Sequence, residues 1–551
     1  MRKILSQKPK RKVKSKKLKG KNGAQTFTFA FLLFTFAFLS SCNSKPTDLR
    51  TLAPAETLVY LESNDLSKTL YALTENETFR QAAKDKPDFS VLENVQFAVA
   101  VTGFEATEKK LTEENSALDF KPHFVAIADT HAWKPTAVSI AENQINNFVK
   151  EIYGEDVKLE KDEKRDAKFF TWTSADGRKL FSAVSGSIIY IANDESLLDK
   201  CLAIGRGEAD NLLKNESLSR AYAANTENNL AFGYVSPEGV AQISNLAGIS
   251  VASETSKEAE GQSFIARVLP QILRGTTREI LWTAQKKEAG IEDKLSISLN
   301  PETSSVLRET LAQSVDARST SAEFLPSDVF SMTRYNLKNP QVAWRSLLLV
   351  SANNTDSLSG NLIIRFSDKV LESYGISNAE MFLSAVDADI FTAQFDAAGE
   401  KSVTIATTRD TEKIRKSLSE INFKSQPEKY LNAEIWYSQD KRTAAAFAEN
   451  KLILGDVESV LKCLDAKLNG QNFTKNRSFL KLTESKAAAI TFAKDTDSAE
   501  KIVAILSEPN DENKRFITDY LTETRITEKG IERKTVSDFG LIGSIIEQLK
   551  E

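Results

Sequence analysis

Histidine is almost missing from this chain, with two among 551 residues, His123 and His131. Any Ser–His–Asp arrangement would have to be built on one of those two. Cysteine is nearly as scarce: Cys42, Cys201 and Cys463 are the whole set, which excludes a disulfide framework. The motifs GxSxG, HExxH, CxxC, Walker A, GxGxxG and the EF-hand loop are all missing, so no catalytic or nucleotide-binding template applies. No apolar run reaches the roughly 20 residues a membrane-spanning helix needs; the longest, Ala24–Leu39, has 16.

That short run stands in an informative context. Residues 1–23 hold eleven Lys/Arg and no Asp or Glu, and after the apolar run comes Leu39-Ser40-Ser41-Cys42. A basic stretch, an apolar stretch and small residues before a cleavage point make a secretory signal. Leu-Ser-Ser-Cys resembles the lipobox of bacterial lipoproteins, which implies diacylation of Cys42 and cleavage before it. The chain then reads as a signal peptide over 1–41 and a lipid-anchored linker over 42–50. Asn43, where Asp would favour inner-membrane retention, leans toward the outer membrane or the periplasmic face. The expected localisation is the cell envelope, with the membrane as a partner through the lipid.

Removing the signal changes the charge. Of 72 basic residues eleven leave with it, so 61 face 76 acidic ones and the mature chain carries about −15. Nucleic acid is excluded as a main partner, because it requires clustered Lys/Arg. An apolar content of 41% with 31 Phe is ample for a large core.

The body reads as a tandem duplication. Trp172-x-Ser174-x-Asp176-x-Arg178 matches Trp436-x-Ser438-x-Asp440-x-Arg442. Asp194 to Leu202 matches Asp456 to Leu464, including Lys200-Cys201 against Lys462-Cys463. Glu288-x-Gly290-Ile291-Glu292-x-Lys294 matches Glu528-x-Gly530-Ile531-Glu532-x-Lys534, and Pro54 matches Pro326. Two repeat domains are expected, 51–318 and 322–551, with Cys201 and Cys463 buried and unpaired. Alternating segments at 169–173, 179–184 and 187–192, joined at Asp176-Gly177 and Ser185-Gly186, predict an antiparallel meander. Asp194 and Asp456 are placed to cap helices. Helices are predicted over 66–84, 136–153 and 541–549, and 250–262 reads as a flexible excursion. The fold class is α+β, each domain an antiparallel sheet with helices mainly on one face.

Candidate chemistry is sparse. His123, Asp129 and His131 offer three metal donors, but the matching place in the second copy, Ser402–Arg409, has no His; the plainer reading is a strand, and no metal or cofactor is expected. Ser459-x-x-Lys462 has the spacing of a Ser–Lys acyl enzyme, yet the first copy has Leu197-x-x-Lys200 there, which points to a solvent-facing helix. Asp387-x-Asp389 reads as a solvated turn. A hairpin tip braced by a cross-strand Asp–Arg pair explains the polar set common to both copies. The sharper alternative is a ligand-binding group of Trp172, Arg178, Trp436 and Arg442, because exposed Trp and Arg concentrate at recognition surfaces.

The segment Pro54-Ala55-Glu56-Thr57-x-x-Tyr60-x-Glu62 resembles the start of a bacterial family of secreted or lipid-anchored proteins that open P-A-x-T-x-x-Y-x-E. The family has no assigned activity, so it implies no functional residues. The expected function is a non-catalytic lipid-anchored envelope protein that binds or scaffolds an envelope partner. A carboxylate-dependent hydrolase and a carrier of an apolar ligand are the alternatives, separated by clustered buried carboxylates or by an open apolar pocket.

Overall fold

The computed structural model describes residues 46–110, 116–164, 166–225, 229–255, 259–314, 319–372, 374–476, 478–510 and 516–548. The expected signal peptide and Cys42 lie outside them. Ten strands come from the first segment: β1 (Val59–Ser63), β2 (Gln96–Lys110), β3 (Ser116–Asp129), β4 (Lys158–Lys164), β5 (Ala167–Thr173), β6 (Lys179–Ser185), β7 (Ile188–Ala192), β8 (Ala231–Val235), β9 (Thr277–Lys287) and β10 (Gly290–Leu299). Ten more follow: β11 (Ser331–Asn336), β12 (Val386–Gln394), β13 (Ser402–Thr408), β14 (Glu428–Tyr430), β15 (Ala433–Tyr437), β16 (Thr443–Ala448), β17 (Lys451–Asp456), β18 (Ala489–Asp495), β19 (Thr518–Ile526) and β20 (Gly530–Ser537).

All twenty join one antiparallel sheet. Pair by pair, the first segment contributes the order β4-β5-β6-β7-β3-β2-β1-β8-β9-β10. The second continues with β20-β19-β18-β11-β12-β13-β17-β16-β15-β14. With β11 taken for β1, β12 for β2 and so on, the order reads the same from either end.

The seam is the β10–β20 pair. Lys294 lies opposite Lys534, and Ile291 opposite Ser537 mirrors Ile297 opposite Ile531. Two like charges face to face are unfavourable. Each is neutralised from the opposite strand: Lys294 meets Glu532 at 2.9 Å and Lys534 meets Glu292 at 2.7 Å. Gly290 (φ 125°) and Gly530 (φ 141°) start the two strands. A Cβ on either would stand 2.3 and 2.2 Å from a carbonyl oxygen of the other segment, Ser537 and Ile297 respectively, so neither tolerates a side chain.

The central strands of the first segment are apolar on both sides, and helices cover both faces where the sequence pattern suggested mainly one. In β2, Phe97, Val99 and Val101 enter one core while Ala98 and Ala100 enter another. The helix Glu195–Gly205 closes the second, capped by Asp194 through its bond from Leu197 N as expected. The helix predicted over 66–84 is two, Leu66–Thr74 and Glu77–Ala82, because the Asn76 side chain accepts from Phe79 N and restarts the helix. The excursion expected over 250–262 falls largely within two long helices, Pro237–Thr255 and Ala259–Thr276. The linker expected over 42–50 is shorter on its body side: Thr47 already donates to Asp129, and Arg50 is buried against Asp48.

The first segment's main core is not closed by its own helices alone. Ala499, Ile502, Val503 and Leu506 from the helix Ser498–Leu506, and Ile542 and Ile546 from the helix Gly540–Glu547, pack with Leu66, Leu70 and Phe79. Backbone bonds follow them across, Lys84 N to Glu508 O at 2.9 Å and Asn510 N to Ala82 O at 2.9 Å. In the other direction, Ser304 of the helix Pro301–Thr310 donates to Glu528 O at 2.7 Å and Thr310 to Ser346 Oγ at 2.8 Å. A boundary at 318/322 therefore separates the sequence matches but not the cores.

The reciprocal ion pairs are half-exposed, so each contributes a modest amount. Lys294→Glu should cost about 1–2 kcal/mol, because it removes one pair and adds a carboxylate beside Glu532 and across from Lys534. In urea denaturation, the double variant Lys294→Glu/Glu532→Lys should recover most of that loss.

Candidate apolar binding site

Between the sheet and the two helices Leu66–Thr74 and Gly540–Glu547 lies a cavity of about 120 Å³. Leu61 and Phe97 form its floor from β1 and β2, Trp282 one wall from β9, and Leu66, Leu70, Ile542 and Ile546 its roof. These positions follow from local sequence. In β1 the period of two sends Leu61 to this face and Tyr60 and Glu62 to the other; in the terminal helix the i, i+3, i+4 spacing puts Ile542, Ile545 and Ile546 on one side. Ile545 is exposed, so the cavity opens to solvent at the helix edge.

The polar groups at the lining are already used. Ser63 and Thr69 hydroxyls share a hydrogen bond of 2.9 Å, and Thr69 also bonds to Leu230 O. Trp282 Nε1 donates to Asp293 Oδ1 at 2.8 Å. Glu62 accepts from Tyr60 at 2.7 Å and from Tyr222 at 2.6 Å on the other face of the sheet. A ligand gains no hydrogen bond from these groups, so selectivity is for hydrocarbon. An apolar space of this order accommodates a benzene-sized group.

On the far side of the terminal helix is a polar cavity of about 340 Å³, with Asp293, Asp495, Arg533 and Glu547 at its lining. Its carboxylates are also held. Asp293 accepts from Trp282 and, at 2.8 Å, from Leu541 N at the start of the terminal helix; burial nonetheless pushes its pKa up. Asp495 accepts from Asp497 N and Ser498 N, and Glu547 faces Lys501 at 3.8 Å. Asp293 and Asp495 thus hold local structure, and Glu547 faces a cation.

The candidate residues from the sequence separate into core and brace. Trp172 is fully buried and donates from Nε1 to Asn146 at 3.0 Å. Trp436 is 5% exposed, packed between Phe423 and Phe447, with the Arg415 guanidinium 4.6 Å from its ring. Neither indole faces outward: the strand alternation that joins Trp to Ser and Arg breaks at the hairpin. Arg178 pairs with Asp176 at 2.8 Å and lies over the Tyr153 ring; Arg442 pairs with Asp440 at 3.4 Å. Arg178 and Ser174 hold Asp176 well below the ordinary aspartate range, and the Ser438 hydrogen bond lowers the pKa of Asp440. These contacts make a brace across each turn, where Gly177 (φ 86°) and Lys441 (φ 57°) take the left-handed conformation.

The other readings resolve similarly. His123 sits six strand residues from Asp129, roughly 20 Å away, and approaches Glu105 at 3.8 Å, so the three donors do not converge. Among the described residues, no group of three His, Cys, Asp or Glu could hold a metal ion. Ser459 is buried, not solvent-facing, and Lys462 is held by Asp328 at 2.8 Å, which leaves no Ser–Lys pair. Asp387 and Asp389 lie in β12, not in a turn. Asp387 pairs with Arg409, and Asp389 with the buried Arg334 at 2.7 Å.

Sequence reasoning missed the apolar cavity because its walls are drawn from Leu61 to Ile546 along the chain; the available signal was the apolar stripe of the terminal helix. It also missed Glu62, a buried carboxylate on the opposite face. Burial pushes its pKa up, against the Tyr222 and Tyr60 hydrogen bonds.

No family model and no curated protein matches the chain. Two solved structures, crystal forms I and III of TP0453, align with 10% and 11% identity over 43% and 42% of this chain and 98% of their own, at TM-scores of 0.22 and 0.21. Scores this low carry no argument about fold or function.

Two outcomes follow. Cys201 and Cys463 are buried and free, and burial pushes the Cys201 thiol up to about 12. Neither should react with a thiol reagent at pH 8 until denaturant is added, when both should. A carboxyl raised by folding binds protons more tightly in the native state, so its contribution falls as pH rises from the ordinary value of about 4.3. Glu62→Gln should therefore flatten the loss of stability above that pH, as read by denaturation at a series of pH values.

Proposed function

We propose that this chain is a non-catalytic, lipid-anchored envelope protein whose body binds an apolar ligand beneath its C-terminal helix. The observation that carries the binding reading is the cavity itself: hydrocarbon-walled, open at Ile545, and bordered by polar groups that are already paired. Anchoring is supported by the basic, apolar and Leu-Ser-Ser-Cys42 sequence. Among the described residues no helix is long and apolar enough to cross a membrane. The acidic mature body argues against nucleic acid and against lying flat on anionic head groups.

The ligand class is a small apolar group or the end of an acyl chain. A larger ligand would have to lift the terminal helix, whose Phe539, Ile542 and Ile546 are its main hold on the core. The doubled sheet serves as a rigid platform, and a scaffolding role would use its outer surface.

A solvent-sensitive apolar probe should bind with one-to-one stoichiometry. Ala231→Leu, which fills the cavity wall, should weaken it about tenfold, or ~1.4 kcal/mol, with little change in thermal midpoint. Unchanged affinity would remove the cavity as the site. For the anchor, mass spectrometry of the mature N-terminus should find a diacylglyceryl Cys42, and Cys42→Ser should abolish both processing at that position and membrane retention.

A further inference from the structure

Trp133 is the most exposed large apolar side chain among the described residues, at 77%, and it stands beside the point where the N-terminal chain joins the body. Thr47 is clamped there from two sides. Its N–H donates to Gln96 Oε1 at 2.7 Å, its carbonyl accepts from Gln96 Nε2 at 2.8 Å, and its hydroxyl donates to Asp129 at 2.5 Å. Asp129 in turn accepts from His131 N at 2.9 Å, and the His131 ring meets Gln96 at 3.1 Å. Trp133 follows two residues later, immediately before the helix Lys134–Ser139.

The clamp fixes how far this corner can stand from the lipid. Five residues separate Cys42 from Thr47, a reach of at most about 18 Å. Four residues separate Asp129 from Trp133, at most about 14 Å. The indole is therefore within reach of the surface in which the acyl chains of Cys42 would sit. Tryptophan concentrates at that depth, where its ring is buried in the interface and its N–H remains hydrated. The neighbouring cation is already engaged: Lys134 Nζ bonds to Asp166 O at 2.6 Å. With a mature charge near −15, attraction to anionic head groups is also lacking.

We propose that Trp133 is a second membrane contact, inserting into the interface of a zwitterionic phospholipid bilayer next to the lipidated N-terminus and so fixing the orientation of the body. The proposal rests on the lipid-anchor reading. Because the tether holds the indole at the surface, insertion is an intramolecular event, and one aromatic side chain suffices where it would not for a free protein.

The test uses the full-length acylated protein in phosphatidylcholine vesicles, with and without bromine on the acyl chains. Bromine should quench a share of tryptophan emission on the order of one fifth, since Trp133 is one of five tryptophans. Trp133→Phe, at an exposed position that leaves the fold intact by circular dichroism, should lose that quenching. Equal quenching of the two proteins, or none in either, with diacylglyceryl Cys42 present by mass spectrometry, overturns the Trp133 contact alone. An unmodified Cys42 overturns the anchor reading and this proposal with it.

Discussion

The β10–β20 pair is the constraint on which the rest of the molecule depends. It turns two ten-stranded arrangements into one sheet and leaves no free edge at the centre. The like-charged pair Lys294/Lys534 would oppose that junction, and Glu292 and Glu532 reverse the balance from either side. The two glycines that start these strands allow the close backbone approach. Once the strands are paired, the helices after each of them are carried over the other segment, and the shared core follows from the register.

Sharing has a functional consequence. The helix Gly540–Glu547 roofs a cavity whose floor belongs to β1, β2, β8 and β9. The proposed ligand site exists only because the last helix of the chain crosses to the first segment. The matching face of the second segment carries Thr333, Thr491, Thr522 and Thr535, which bond to one another in pairs. Counting outward from the seam also sets Glu62 of β1 at the place that Arg334 takes in β11: a buried carboxylate held by two tyrosines in the one, a buried guanidinium held by Asp389 and the carbonyls of Leu482 and Thr483 in the other. Removing one partner of a buried ion pair such as Arg334–Asp389 costs several kcal/mol.

Much of this was legible in the sequence, and the reasons are local. Asp194 and Asp456 cap helices because a carboxylate before an apolar helical stripe has few other roles, and both accept the predicted backbone bonds. Asp176-Gly177 turned the predicted hairpin. What was hidden depends on residues distant in the chain. The Asp–Arg brace of the shared motif was readable from its spacing, but the burial of Trp172 and Trp436 was not, because an exposed and a core indole fit the same pattern. Two-sided burial was hidden by alanines such as Ala98 and Ala100, which read as neutral although they fit helices close to the sheet. The cavity needed Trp282 and Ile546 side by side, and no local pattern links them.

The central claim is that the core of the first segment is completed by helices of the second. Native-state hydrogen exchange on the intact chain with Ile502→Ala tests it most directly. Ile502 is fully buried in that core, and its truncation should cost about 2–5 kcal/mol. Protection should fall in β1, β2 and the helix Leu66–Thr74, roughly 390 to 440 residues away in sequence. Loss of protection confined to the second segment, with those elements unchanged, would contradict the account.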